Sequence, residues 1–360
     1  YVLFVGEEEI LPVQGAGYGV NYSDLRYAST GGAARPELVF GRLVGDHVNT
    51  LAEPLEAALR YHQGAAVFDR SHALLVSGRA GGEGTFWSDV NDMADRLDDA
   101  TVTKIRWKSH GDPNAEEDDE WRSYFEVFNA SVAQRDIIVY RGHGGDDSWS
   151  PGMYTWLTGS LDIRATRPFV MALACNTGDF KGGNDYNIAE AFLKDGAAVY
   201  IGSMETSDRG RNSDAARGFF NRWEPSRSVG DVFHDLQRDK WDDFDWGVQR
   251  ISWERWVYDY MYFGDPKYGT PDTALATMAS AVEAEPDPSL SARRQRTLDN
   301  GRAVTELVIA VPDYEVTTTE DGYDYVAFPN ADRMAKEGDY MVPVWTTDVV
   351  FPPGQRVQDV

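Results

Sequence analysis

Apolar residues along this chain fall in short unbroken runs, separated by longer stretches in which they recur every three or four positions. The runs at 2–5, 38–40, 73–77, 136–140, 169–174 and 197–202 are too short for helices, and most stand close to Gly or Pro. Unbroken rather than alternating hydrophobicity predicts strands buried on both faces, as in a parallel sheet. The stretches between them predict helices over 50–62, 88–97, 117–133, 185–194, 213–223 and 228–240, with Gly196 stopping the fourth. This alternation is that of an α/β fold.

After Tyr262-Phe-Gly-Asp-Pro266 the texture changes. Residues 270–288 are rich in Ala, Glu and Pro, and shorter strand-like pieces follow at 306–311 and 340–345. The change places a linker over 271–300 and a small β-rich module over 301–360. No internal repeat stands out, which argues against a solenoid.

A length of 360 residues with 42% hydrophobic content is enough for more than one core. The formal net charge of -25 argues against a nucleic-acid partner, because phosphate neutralisation needs clustered Lys and Arg. An acid excess fits an extracellular or salty medium, or basic substrates, without choosing among them. No apolar run reaches the roughly 18–20 residues needed to cross a bilayer. The chain opens on Tyr1 with no signal-like stretch, which reads as the middle of a longer protein.

Cys175 is the only cysteine, so an intrachain disulfide and a multi-cysteine zinc site are both excluded. It directly follows the apolar run 169–174, and His143 follows the run 136–140 by way of Arg141-Gly142. In an open parallel sheet, functional groups collect beyond the carboxyl ends of the strands, where both residues would sit. A thiol nucleophile needs a His to take and return its proton and backbone donors for the developing oxyanion. The glycines flanking His143 allow close approach of a substrate carbonyl, making the amides of Gly144 and Cys175 the candidate oxyanion donors. Taken singly, a cysteine after a strand is more often a small buried hydrophobe. The pairing of Cys with His is what favours chemistry. His47, His62, His72, His110 and His234 lack that context.

At these residues the sequence resembles the gingipain family of cysteine peptidases, within the caspase-like clan. The resemblance rests on Tyr140-Arg-Gly-His-Gly-Gly145 with Trp149, on Ala172-Leu-Ala-Cys-Asn-Thr-Gly-Asp-Phe180, and on Tyr262-Phe-Gly-Asp-Pro266. Tyr1-Val-Leu-Phe-Val-Gly6 with Leu11-Pro12, Tyr22-Ser-Asp-Leu25 and Val39-Phe-Gly-Arg-Leu43 extend it in the same order. It implies a caspase-like α/β/α sandwich with a mostly parallel sheet, followed by the small β-rich module. Residues 1–68 would be part of a first catalytic subdomain and 69–270 the subdomain carrying the dyad. The trailing segments Glu337-Gly-Asp-Tyr-Met-Val-Pro-Val344 and Val350-Phe-Pro-Pro-Gly-Gln-Arg-Val357 resemble the family's β-rich propeptide.

By position, the resemblance makes His143 and Cys175 the catalytic pair and the amides of Gly144 and Cys175 the oxyanion hole. Asp89 corresponds to the carboxylate that receives a basic P1 side chain in arginine-cleaving members, with Ser88 as the cap of its helix. Two departures qualify this. The stretch Val76-Ser-Gly-Arg-Ala80 lacks the family's acid behind the His, leaving Glu83 to substitute only if its loop folds back. The loop Ser203-Met-Glu-Thr-Ser-Asp-Arg209 lacks the aromatic of the P1 pocket and offers Glu205 or Asp208 as acids instead.

The expected function is a secreted or surface cysteine endopeptidase acting on protein or peptide substrates, with a preference for Arg or Lys at P1. The chemistry requires no cofactor. Structural calcium is common in the family and acid-rich loops would permit it, although no EF-hand-like loop is present. Two alternatives stay open: a sortase-like transpeptidase, and an inactive binding or adhesion module that keeps the fold.

Overall fold

The computed structural model describes residues 1–269 except 9, 14, 16–21, 30–34, 46–47, 63–67, 69, 79–84, 108–120, 182–186, 225–226 and 243–247. Beyond residue 269 it describes only the strands between 290 and 344. The chain divides into two compact units, 1–275 and 276–360.

In the first unit the strands are β1 (Val2–Val5), β2 (Phe40–Leu43), β3 (His72–Ser77), β4 (Thr101–Arg106), β5 (Ile137–Arg141), β6 (His143–Gly145), β7 (Ser148–Ser150), β8 (Met153–Tyr154), β9 (Phe169–Leu173), β10 (Val199–Ser203) and β11 (Tyr260–Gly264). The helices are α1 (Val48–His62), α2 (Thr85–Ala94), α3 (Trp121–Val132), α4 (Ile188–Lys194), α5 (Arg209–Arg222), α6 (Val229–Asp242) and α7 (Val248–Asp259). One sheet runs in the order β1-β2-β11-β10-β9-β5-β3-β4. Every neighbouring pair in it is parallel except β10 with β11.

The unbroken apolar runs are explained by burial on both sides. In β9, Phe169, Met171 and Leu173 enter one core while Val170 and Ala172 enter the other, and Ala73 and Leu75 of β3 oppose Leu74 and Val76 in the same way. α2, α5, α6 and α7 contribute to the first core and α3 and α4 to the second. With both faces covered, a strand has no side left for polar residues. The result is the expected α/β/α sandwich.

Residues 1–68 supply β1 and β2 to this sheet, and β2 joins it by pairing Arg42 with Phe263 of β11. Arg42 is fully buried and bidentate to Asp24, with Nε and Nη2 each 2.6 Å from a carboxylate oxygen. It also donates to the carbonyls of Gly6 and Leu11, so one guanidinium ties the chain after β1 to the sheet.

Several boundaries differ from expectation for local reasons. α2 begins at Thr85 rather than Ser88, because Phe86 extends the buried stripe of Val90 and Met93 by a turn. Ser88 therefore lies inside the helix and does not cap it. α5 begins at Arg209 rather than 213, since the Asp208 side chain accepts from the Arg211 amide as its N-cap. Gly196 does end α4, at φ +126°, where a Cβ would meet the backbone and side chain of Arg164. β4 and α7 carry no clear pattern in the sequence, and the apolar run of β11, Tyr260 to Phe263, follows α7 without a break. β4 is a sheet edge with mostly exposed or half-buried side chains, and α7 passes into β11 with no turn residue between them.

Among the described residues the second unit contains three antiparallel strand pairs: β12 (Leu290–Thr297) with β13 (Ala303–Ile309), β14 (Glu315–Thr318) with β15 (Asp324–Ala327), and β16 (Asp332–Met334) with β17 (Val342–Val344). β12 falls within the stretch expected as a linker, where its polar sequence hides it. Of the two propeptide-like segments, only β17 lies among the described residues.

Candidate active site

β5 and β9 are parallel neighbours in a register that sets Arg141 beside Leu173. Two residues beyond Arg141 comes His143, and two beyond Leu173 comes Cys175. The fold therefore brings both predicted residues to the carboxyl ends of adjacent strands at the same offset.

The His143 segment is built firmly. After β5 the chain enters a small antiparallel sheet of β6, β7 and β8. The hydroxyl of Tyr140 donates to the carbonyls of His143 and Ser150 at 2.6 and 2.8 Å. The Tyr140 ring stacks on Trp149 with centroids 4.9 Å apart, and the Trp149 indole donates to Tyr200 at 3.0 Å. Gly144 packs against the cysteine turn: a Cβ there would lie 2.5 Å from the Thr177 methyl and 2.8 Å from the Cys175 carbonyl oxygen. No other residue allows that approach.

Cys175 is a half-buried free thiol at the start of a tight turn. Asn176 takes a left-handed conformation, φ +59°. Its amide donates to the Glu205 carbonyl, and that of Gly178 to Ser203, binding the turn to the end of β10. Among the described residues the Cys175 amide has no acceptor. The sulfur lies 3.8 Å from both the carbonyl and the hydroxyl oxygen of Ser207. Behind Ser207 the Trp256 indole donates to Asn212 Oδ1 at 2.9 Å, and Asn212 Nδ2 donates to Ser207 Oγ at 2.8 Å. This relay aims a hydroxyl proton at the sulfur.

The ring of His143 is exposed on one side and stands edge-on to Phe86 of α2, centroids 5.3 Å apart. Burial against this surface lowers its pKa, and the charges of Arg209 and Arg141 lower it further. The imidazole is thus held neutral, the form that accepts a proton. Glu83, the expected support, lies outside the described residues.

Asp89 is 3% exposed and sits one turn after Phe86 on the buried stripe of α2. Its carboxylate accepts from Arg141 Nε at 2.7 Å and from Ser213 Oγ at 2.6 Å. Arg141 also donates to the carbonyls of Leu173 and Arg209, and its guanidinium lies 4.5 Å from the centre of the Phe86 ring. The acid expected to meet a substrate is paired within the protein.

A cleft of about 400 Å³ adjoins Cys175 through Ser207 and is also lined by Thr206, Asp208, Ile251, Ser252, Arg255, Trp256 and Asp259. Asp208 thus reaches the cleft, while also capping α5. Glu205 is half-buried and within electrostatic reach of Lys181. Asp259 is 1% exposed, and burial raises its pKa to about 6 although Ser203 Oγ and the Glu205 amide both donate to it. Phe86, Arg141, Ser207, Trp256 and Asp259 were not singled out from sequence. The available signals were an acid on the apolar stripe of α2 and a cation closing the apolar run of β5.

Among the described residues no group of three or more His, Cys, Asp or Glu side chains is placed to hold a metal ion. Nor is any described helix long and apolar enough to cross a membrane. His234 is buried in α6, and His72 lies on β3, at the opposite end of the strand from the site.

The fold is similar to that of the Arg-specific cysteine proteinase gingipain R, at a TM-score of 0.59 and 20% identity over 74% of this chain and 63% of that one. It is also similar to the complex of RgpB pro- and mature domains from Porphyromonas gingivalis, at a TM-score of 0.61 and 20% identity over 75% and 65%. A structure described as a protease aligns at a TM-score of 0.57 and 13% identity over 95% of this chain and 82% of that one. The chain thus spans a little under two thirds of the length of the first two. Curated protein sequences yielded no match. The family model for peptidase family C25 matches residues 1–269, and the chain belongs to that family.

Proposed function

We propose that this chain is a cysteine endopeptidase in which Cys175 is the nucleophile and His143 its proton carrier. The observation that carries the reading is the common offset of the two residues beyond adjacent strands, with Gly144 packed against the Cys175 carbonyl.

In the reaction, His143 takes the thiol proton and the sulfur attacks the scissile carbonyl carbon, forming the S–C bond. The oxyanion rests on the amides of Gly144 and Cys175, the second of which has no acceptor of its own among the described residues. Collapse breaks the C–N bond, and the imidazolium gives its proton to the departing amine. Water, deprotonated by His143, then cleaves the thioester, and the thiol recovers its proton. Ser207 supports the thiolate through its hydroxyl and the thiol through its carbonyl.

Protein or peptide substrates and an extracellular or surface location accord with this reading. A selectivity for Arg or Lys does not follow from Asp89, whose carboxylate is already paired with Arg141.

The test is treatment of the reduced protein with a peptidyl electrophile, alongside peptide cleavage by the protein and its Cys175→Ala variant. Labelling confined to Cys175 and loss of cleavage in the variant are expected. Cleavage that survives the substitution would end the proposal, and absence of labelling would favour a binding module. Products that incorporate an added amine in place of water would identify a transpeptidase.

A further inference from the structure

Selection of a basic P1 side chain requires a carboxylate near the nucleophile that is available to a guanidinium or ammonium. Among the described residues the carboxylates near Cys175 include Asp89, Asp179, Glu205, Asp208 and Asp259, and each has a partner, Lys181 in the case of Asp179. Asp89 is held by Arg141 and Ser213. Both oxygens of Asp259 accept from Ser203 and the Glu205 amide. Asp208 accepts from the Arg211 amide as the cap of α5, at the exposed rim of the cleft. Glu205 lies beside Lys181.

Arg141 is the decisive member of this set. It is 1% exposed, and its donors go to the Asp89 carboxylate, the Leu173 and Arg209 carbonyls and Ser213 Oγ. Leu173 lies two residues before the nucleophile and Arg209 opens the helix beside it. An arginine side chain supplied by the protein thus occupies a carboxylate beneath the dyad in the manner a substrate arginine would. The adjoining cleft is left with the apolar surfaces of Ile251 and Trp256, one cation, Arg255, and two acids, Asp208 at the rim and the buried, hydrogen-bonded Asp259.

We propose that Arg141 is a specificity-determining residue that plugs Asp89, so that the enzyme cleaves after uncharged P1 side chains seated in the cleft against Trp256 and Ile251. The proposal rests on the peptidase reading and adds its substrate class.

The test is a peptide library randomised at P1, with cleavage sites mapped by mass spectrometry. It would be run on the wild type, on Arg141→Ala and on Arg141→Ala with Asp89→Asn. Wild type is expected to cut after uncharged residues without enrichment of Arg or Lys. Arg141→Ala should gain at least about tenfold in relative kcat/KM for Arg at P1, the scale of one charge-assisted hydrogen bond. The gain should vanish in the double variant. Agmatine should raise the melting temperature of Arg141→Ala and leave that of the double variant unchanged. A wild type that prefers Arg or Lys overturns the proposal and leaves the peptidase reading standing, and this measurement decides even where Arg141→Ala does not fold. A folded Arg141→Ala without the gain also overturns it. A wild type in which Cys175 neither labels nor cleaves overturns both.

Discussion

Ser207 directs its hydroxyl at the sulfur of Cys175 across 3.8 Å while accepting a hydrogen bond from Asn212, so the thiol stands at the end of a relay that begins at the Trp256 indole. Removing the hydroxyl takes away a donor that favours the thiolate. Ser207→Ala should slow alkylation of Cys175 by iodoacetamide about fivefold at pH 7, the effect of roughly 1 kcal/mol of hydrogen bonding. Ser207→Thr should keep most of the rate. Equal rates in all three proteins would remove Ser207 from the machinery.

His143 is kept neutral by burial and by the charges of Arg209 and Arg141. In Cys175→Ala, its ring should titrate by NMR below the ordinary histidine value near 6.5. Neutralising Arg209 as Arg209→Gln removes a repulsion that disfavours the imidazolium, so the midpoint should move upward. A midpoint above 6.5 before that substitution would show that an anion supports the ring.

Gly144 has no room for a side chain, since a Cβ would collide with Thr177 and the Cys175 carbonyl. Gly144→Ala should displace the proposed oxyanion donors and lower kcat by about 100-fold or more, the scale seen when one such donor is lost. Circular dichroism should stay native. A nearly unchanged kcat would place the oxyanion elsewhere.

Asp259 has a folded pKa of about 6 against an ordinary value of 3.8, because burial disfavours its charge. A raised pKa means the fold favours the protonated acid, so its contribution is full below about pH 4 and is lost as pH rises through 6. Asp259→Asn keeps the shape without the charge. It should stabilise the protein by about 2–3 kcal/mol at pH 8 and far less at pH 4.5, as read by urea unfolding. Equal effects at both pH values would contradict the shift.

Arg42 and Asp24 are both fully buried and bonded through two contacts. Arg42→Met leaves a carboxylate without its cation and should cost about 3–5 kcal/mol. Adding Asp24→Asn should recover much of that loss. A double variant no more stable than the single one would assign the effect to the lost contacts with Gly6 and Leu11.

Much of the fold can be read from short-range pattern. The six apolar runs anticipate β1, β2, β3, β5, β9 and β10, and for all but the edge strand β1 the reason is that strands covered on both faces have no polar side to interrupt them. β4 escapes that logic as an exposed edge, and β11 because it continues α7 without a turn. The positions of His143 and Cys175 directly after two such runs are equally local, and the parallel register of β5 and β9 converts them into neighbours.

Sequence alone therefore determined the alternation of strands and helices, the exclusion of intrachain disulfides and the two residues proposed to carry the chemistry. Tertiary structure decided what surrounds them. Asp89 and Arg141 are 52 positions apart, and Ser207 is 32 from Cys175. Their pairing depends on which helix packs over which strand, and no spacing encodes it. A carboxylate that looks ready for a substrate guanidinium in the sequence is already bound to one from its own chain, since burial of either charge without the other is too costly to persist.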